Sequence, residues 1–123
     1  MSDTSPAELC IALTTARTVD EARTLAELLV ERRLAACVNL VPGARSIYRW
    51  QGAIEEAAET MLTIKTSRAQ IEAVHAALRE AHSYELPEFL VIPVETGGAE
   101  YMAWLRDELK PEASAHAAEA DRI

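Results

Sequence analysis

The sequence predicts an α+β domain in which a strand–helix–strand unit occurs twice and one more helix follows. Three observations carry this expectation. Short apolar runs alternate with two segments of helical periodicity. Each helical segment opens on a capping box, "TVDE" at 18–21 and "SRAQ" at 67–70. The segment between the two units, "AACVNLVPGARSIYRW" (35–50), is rich in β-formers and interrupted at Pro42-Gly43.

The elements follow in order. "LCIALTT" (9–15) is short, apolar and bounded by polar residues, as a strand is. Thr18 caps a helix in which Ala22, Leu25, Ala26 and Leu29 form one apolar face. Arg32 and Arg33 close it, where positive charge suits the helix dipole. Residues 35–50 form a long strand with a bulge at Pro42-Gly43, Gly52 lies in a turn, and "ETMLTIKT" (59–66) is the return strand. Ser67 caps a second helix with Ile71, Val74 and Leu78 inward, running to about Ala81. "EFLVIPVET" (88–96) is a strand, Gly97-Gly98 breaks it, and "AEYMAWLRDEL" (99–109) is a short last helix. This is the ferredoxin-like split βαβ plan, a (βαβ)2 sandwich with an extra C-terminal helix. It sets the strand order 4-1-3-2 with both long helices on one face. Cys10 and Cys37 then stand on either side of the third strand, roughly 9–10 Å apart, too far for a disulfide. Residues 1–8 are an N-terminal extension, 9–110 the domain, and 111–123 an expected flexible tail.

A chain of 123 residues fits one domain. The net charge of −8, with scattered basic residues, argues against nucleic acid or an anionic membrane as partner. The longest apolar runs, such as "FLVIPV", fall far short of the roughly 20 residues a membrane helix needs. No leader pattern opens the chain, and its two cysteines form no CxxC pair. A cytoplasmic setting is expected.

The pattern also predicts association. Fully extended, 35–50 would run roughly 50 Å, against about 35 Å across a domain of this size. Ile47, Tyr48, Trp50 and Ile54 at the hairpin tip are too apolar to leave in water, and "FLVIPV" is apolar on both faces. A second copy is the simplest cover. The alternative is that the last helix, with Tyr101 and Trp104, folds back over that face.

Chemistry-bearing residues concentrate in "HSYELPE" (82–88). His82 at a helix end is either favoured by the dipole or a metal ligand or proton carrier. Pro87 holds Leu86 extended, which leaves Glu85 and Glu88 at the mouth of the fourth strand, as ligand groups or as solvated acids. Lys65 is an outward lysine or, if its face is covered, needs a carboxylate from a neighbouring copy. Tyr48 and Trp50 share a strand face, for packing or as a ligand wall. Cys37 reads as an inert thiol or a soft ligand, and Cys10 and His75 as packing residues. No nucleophile elbow, zincin motif, phosphate loop or dinucleotide fingerprint occurs, so a binding protein is expected rather than an enzyme.

"LAACVNLVPGARSIYRWQG", "IKT", "HSYELPE" and "YMAWL" resemble, in order and spacing, the CutA family of divalent-cation tolerance proteins. The resemblance implies a ferredoxin-like homotrimer assembled like the PII signalling proteins, with the long hairpins pairing between subunits. It also implies a role in tolerance of copper and other divalent metals. The family motif reads His-Pro-Tyr-Glu, where this chain has Ser83. The family copper positions map to Thr14, Ala81 and His82, of which only His82 can ligate copper well. The expected function is a homotrimer binding a divalent cation, copper by resemblance, or a small ligand at clefts between subunits. His82 and Cys37 are the candidate metal ligands. Lys65, Tyr84, Glu85, Glu88, Tyr48, Trp50 and Trp104 are the candidate cleft residues. The competing reading is a PII-like signalling scaffold that senses a small ligand, binds a partner protein and has no metal role.

Overall fold

The computed structural model describes residues 8–111. The expected extension and tail fall, apart from Glu8 and Pro111, outside the described residues, and so does His116. The elements are β1 (Leu9–Ala16), α1 (Val19–Glu31), β2 (Cys37–Trp50), β3 (Ala53–Ser67), α2 (Ile71–Ala81), β4 (Leu90–Pro93) and α3 (Ala99–Glu108). The sheet runs β2-β3-β1-β4, all neighbours antiparallel, which is the order the ferredoxin-like plan requires. Cys10 and Cys37 are free thiols.

One face of the sheet carries the main core. Ala12 and Ala16 of β1 and Leu62 and Ile64 of β3 meet Leu25 and Leu29 of α1 and Val74 and Leu78 of α2, all buried. Alternation along β1 and β3 and the helical spacing of α1 and α2 put these residues on facing surfaces. A smaller cluster of Leu9, Ala36, Leu105 and Leu109 lies under α3. So the last helix does pack back, but Val41, Ile47, Ile54, Leu90 and Ile92 stay 48–69% exposed.

Four local differences from the sequence reading have physical causes. The return strand starts at Ala53, not Glu59, because Ala53–Glu59 pairs with Ala44–Trp50 of β2; cross-strand pairing overrides the weak β propensity of "EEAAE". The bulge, by contrast, sits where the Pro42-Gly43 break puts it, between Val41 and Ala44, and Gly43 takes φ +86, a left-handed value that favours glycine. The second capping box does not close on the backbone. Ser67 contacts the Gln70 side chain, and a 3-10 turn at Arg68–Gln70 leads into α2. The fourth strand is four residues long rather than spanning 88–96, since Leu90–Pro93 alone pairs in register with β1, followed by one bond from the Val94 N–H to the Leu9 carbonyl. Arg33 does not simply serve the α1 dipole: at φ +59 it turns back, and its guanidinium donates to the Glu108 carbonyl at 2.9 Å, tying α1 to α3.

Leu62, fully buried at the centre of the main core, provides a test of this packing. Leu62→Ala is expected to cost about 3 kcal/mol, read as a lower urea midpoint with an unchanged slope.

Candidate functional site

The site begins where α2 ends. His82 is the C-cap of α2, in extended conformation, and its side chain is fully buried. Its Nε2–H donates to the Thr15 carbonyl at 2.6 Å, and its Nδ1 accepts the Tyr84 N–H at 3.0 Å. A ring nitrogen that accepts a backbone N–H carries no proton, so the ring is neutral, with its hydrogen on Nε2. Both nitrogens are thereby engaged in pinning the 82–88 loop to β1.

Glu21, at the start of α1, braces the same loop. Its carboxylate accepts the Ser83 N–H at 2.8 Å and the Arg17 N–H at 3.2 Å. Burial pushes the Glu21 carboxyl up, but the Ser83 bonds and the Arg17 N–H outweigh burial and hold it below the usual value. A proline at 83, as in the family motif, has no N–H to give. The departure to Ser83 therefore adds a donor to this brace.

Tyr84 then points to Glu59. Its hydroxyl donates to Glu59 Oε2 at 2.7 Å, while Ser46 Oγ donates to Oε1. Ser46 and Glu59 meet because Ala44 pairs with Glu59 and Ser46 with Ala57, a diagonal on one strand face. Glu59 is only 9% exposed. The Tyr84 phenol is pushed up to about 12, by burial first and then by the hydrogen bond and charge of Glu59. The Arg17 guanidinium lies 5.5 Å over the Tyr84 ring.

Above Glu59 opens a cleft of about 680 Å³. Tyr48, Trp50 and the 84–88 loop wall it, and Arg17 and Glu59 lie along it. Of the residues singled out in the sequence, Tyr48, Trp50, Tyr84, Glu85 and Glu88 come together here, with His82 behind them. The structure puts three others elsewhere. Lys65 donates to the Tyr101 hydroxyl at 3.3 Å, and Trp104 stacks on Tyr101 with ring centroids 5.7 Å apart. Cys37 pairs across the ladder with Lys65. Lys65 faces Ile11 of β1, whereas the cleft begins at Thr15. Four residues along a strand separate them by roughly 13 Å. His75 stacks on Phe89 at 4.3 Å.

The sequence reading weighs Glu59 only as a partner for Lys65 and does not single out Ser46 or Arg17. The missing signal was the pairing register, which cannot be read before the start of β3 is known. The mapped copper positions do not fit a metal centre. His82 has both nitrogens engaged, Ala81 has no ligating atom, and Thr14 Oγ1 is buried without a hydrogen-bond partner. Among the described residues, no three or more His, Cys, Asp or Glu side chains group closely enough to hold a metal ion.

Comparison with known proteins gives a uniform result. The profile of the family described as CutA1 divalent ion tolerance protein matches residues 10–108. The divalent-cation tolerance protein CutA of Thermus thermophilus is 43% identical over 97 residues, covering 79% of this chain and 94% of that protein. The crystal structure of CutA from Xylella fastidiosa superposes with a TM-score of 0.82 at 38% identity, covering 84% of this chain and 99% of that one. A protein from Archaeoglobus fulgidus, described as a periplasmic divalent cation tolerance protein, superposes with a TM-score of 0.81 at 33% identity over 83% of this chain and 99% of its own.

Two measurements test the site's electrostatics. In a spectrophotometric tyrosine titration, one phenol is expected to ionise near pH 12, and Tyr84→Phe should remove that component. Glu21 has a lowered folded pKa, so its charge stabilises the fold above the ordinary value of 4.5 and loses that effect as pH falls through the folded value. The stability gap between wild type and Glu21→Gln should therefore be full at pH 7 and close in acid.

Proposed function

The chain belongs to the CutA1 divalent ion tolerance family, and on that premise we propose that it serves metal tolerance as a homotrimer whose clefts over Glu59 bind a cation. One observation carries this reading. A buried carboxylate faces a roomy cleft, accepts hydrogen bonds only from neutral hydroxyls, and has no cationic group within 4 Å among the described residues. A buried charge left without an opposite charge is costly, and a cation from outside relieves that cost.

Glu85 and Glu88 at the rim add negative charge, which favours cations and disfavours nucleotides. In this reading the cleft binds its ligand and does not transform it. Copper is the metal the resemblance implies. The geometry at His82 gives it no ready seat, so a metal would enter through the carboxylates of the cleft, weakly and with little selectivity. The expected setting is the cytoplasm, in keeping with two free thiols. No described helix is long and apolar enough to cross a membrane.

Uncovered apolar strand surface supports assembly with further copies. Ile47 and Ile54 on the hairpin are 69% and 65% exposed, and Leu90 on the opposite edge strand is 58% exposed. Edges of this kind pair with other chains unless covered. The competing reading, a PII-like signalling scaffold without a metal role, shares the trimer and the cleft but requires a different ligand.

Light scattering is expected to give a mass three times the 13.5 kDa chain. Ile47→Glu should dissociate the assembly, whereas in a true monomer this exposed position would tolerate the change. Calorimetric titration separates the two readings of ligand. Saturable Zn(II) or Cu(II) binding weakened in Glu59→Gln supports the cation cleft; nucleotide binding without metal binding supports the scaffold.

A further inference from the structure

We propose that the cleft over Glu59 is shaped to recognise a small organic ammonium, an aliphatic primary amine in its protonated form, in preference to a bare metal ion. This rests on the reading of the cleft as a cation site and names the class of cation.

The floor sets the first requirement. An ionised carboxylate offers about four lone-pair positions. Ser46 and Tyr84 fill one on each oxygen of Glu59. What remains accepts a directional N–H donor well. It suits a divalent ion poorly, since zinc takes about four ligands and harder cations about six or more. The described residues bring no group of three or more ligating side chains together here or elsewhere.

The walls set the second requirement. Tyr48, Trp50, Leu86 and Pro87 give the cleft apolar sides and two aromatic faces. A hydrated metal ion gains nothing from such sides. An alkyl chain gains burial, and its ammonium group gains attraction to the aromatic faces. The volume of about 680 Å³ falls within the range of small-molecule pockets and far exceeds the size of an ion.

Charge sets the third. Arg17 is the one cationic side chain lining the cleft among the described residues, and it is held over the Tyr84 ring rather than paired with Glu59. The negative charge of Glu59 is felt at the Tyr84 phenol, one reason that group ionises so late. Glu85 and Glu88 give an approaching ammonium a favourable path.

The test titrates the intact protein with n-butylammonium chloride, n-butanol and Zn(II) at neutral pH, by calorimetry and by tryptophan fluorescence. Butylammonium is expected to bind saturably, on the order of millimolar for so small a ligand, and butanol is not. Glu59→Gln should weaken the amine about tenfold or more, the effect of losing one charge-assisted hydrogen bond. Because Glu59 is buried, Trp50→Leu on the half-exposed wall is a second variant and should weaken it as well. Zinc binding that depends on Glu59, with butylammonium silent, overturns this inference and leaves the cation cleft standing. Silence of both overturns the cation cleft too; a fall in assembly mass in Glu59→Gln would then assign the carboxylate to contacts between copies.

Discussion

The structure depends on a mismatch of strand length. β2 and β3 are 14 and 15 residues long, whereas β1 between β3 and β4 has eight. The last pair of β1 with β3 is Ala16 with Thr60. Glu59 is the next residue, the first on β3 beyond the reach of β1. From there outward, Ala44–Trp50 and Ala53–Glu59 have only each other as strand partners among the described residues. A two-stranded ribbon is marginal alone in water. The step where the sheet narrows leaves a notch, the 82–88 loop closes one side of it, and the cleft is the result.

That loop is held by hydrogen bonds to backbone groups. The neutral His82 ring links the Thr15 carbonyl to the Tyr84 N–H, and Glu21 takes the Ser83 N–H. Together they aim the Tyr84 hydroxyl at Glu59. A histidine in a metal-tolerance family invites reading as a ligand, yet in this chain both of its ring nitrogens are engaged in holding the loop that carries Tyr84. Electrostatics in the cleft then follow from one buried carboxylate and its rim of acids, against Arg17, the single arginine among the described lining residues, held on an aromatic ring.

Much of the fold was legible in the sequence because local signals agreed with the global plan. The Thr18 cap, the Ala22–Leu29 face and the Gly43 break each state a local geometry that the structure adopts. Where the sequence misled, a tertiary effect had overruled a local one. "AIEEAAE" has Ile54 as its one β-former and becomes strand because β2 lies beside it. The site was half legible. The 82–88 loop and the Tyr48–Trp50 wall announce themselves by composition. Glu59 does not, since its importance comes from register, from the end of β1 and from burial, none of which a linear reading contains. Lys65, Cys37 and Trp104 carry suggestive chemistry but lie farther along the strands, around α3.

The central claim is that the projecting ribbon stands because copies of the chain cover it. Amide hydrogen exchange read segment by segment tests this most directly. If copies cover it, amides of 44–58 will be protected to nearly the level of β1, with protection falling on dilution below the assembly concentration. Exchange of that segment at the rate of an open hairpin, at every concentration and beside a protected main core, would contradict the claim.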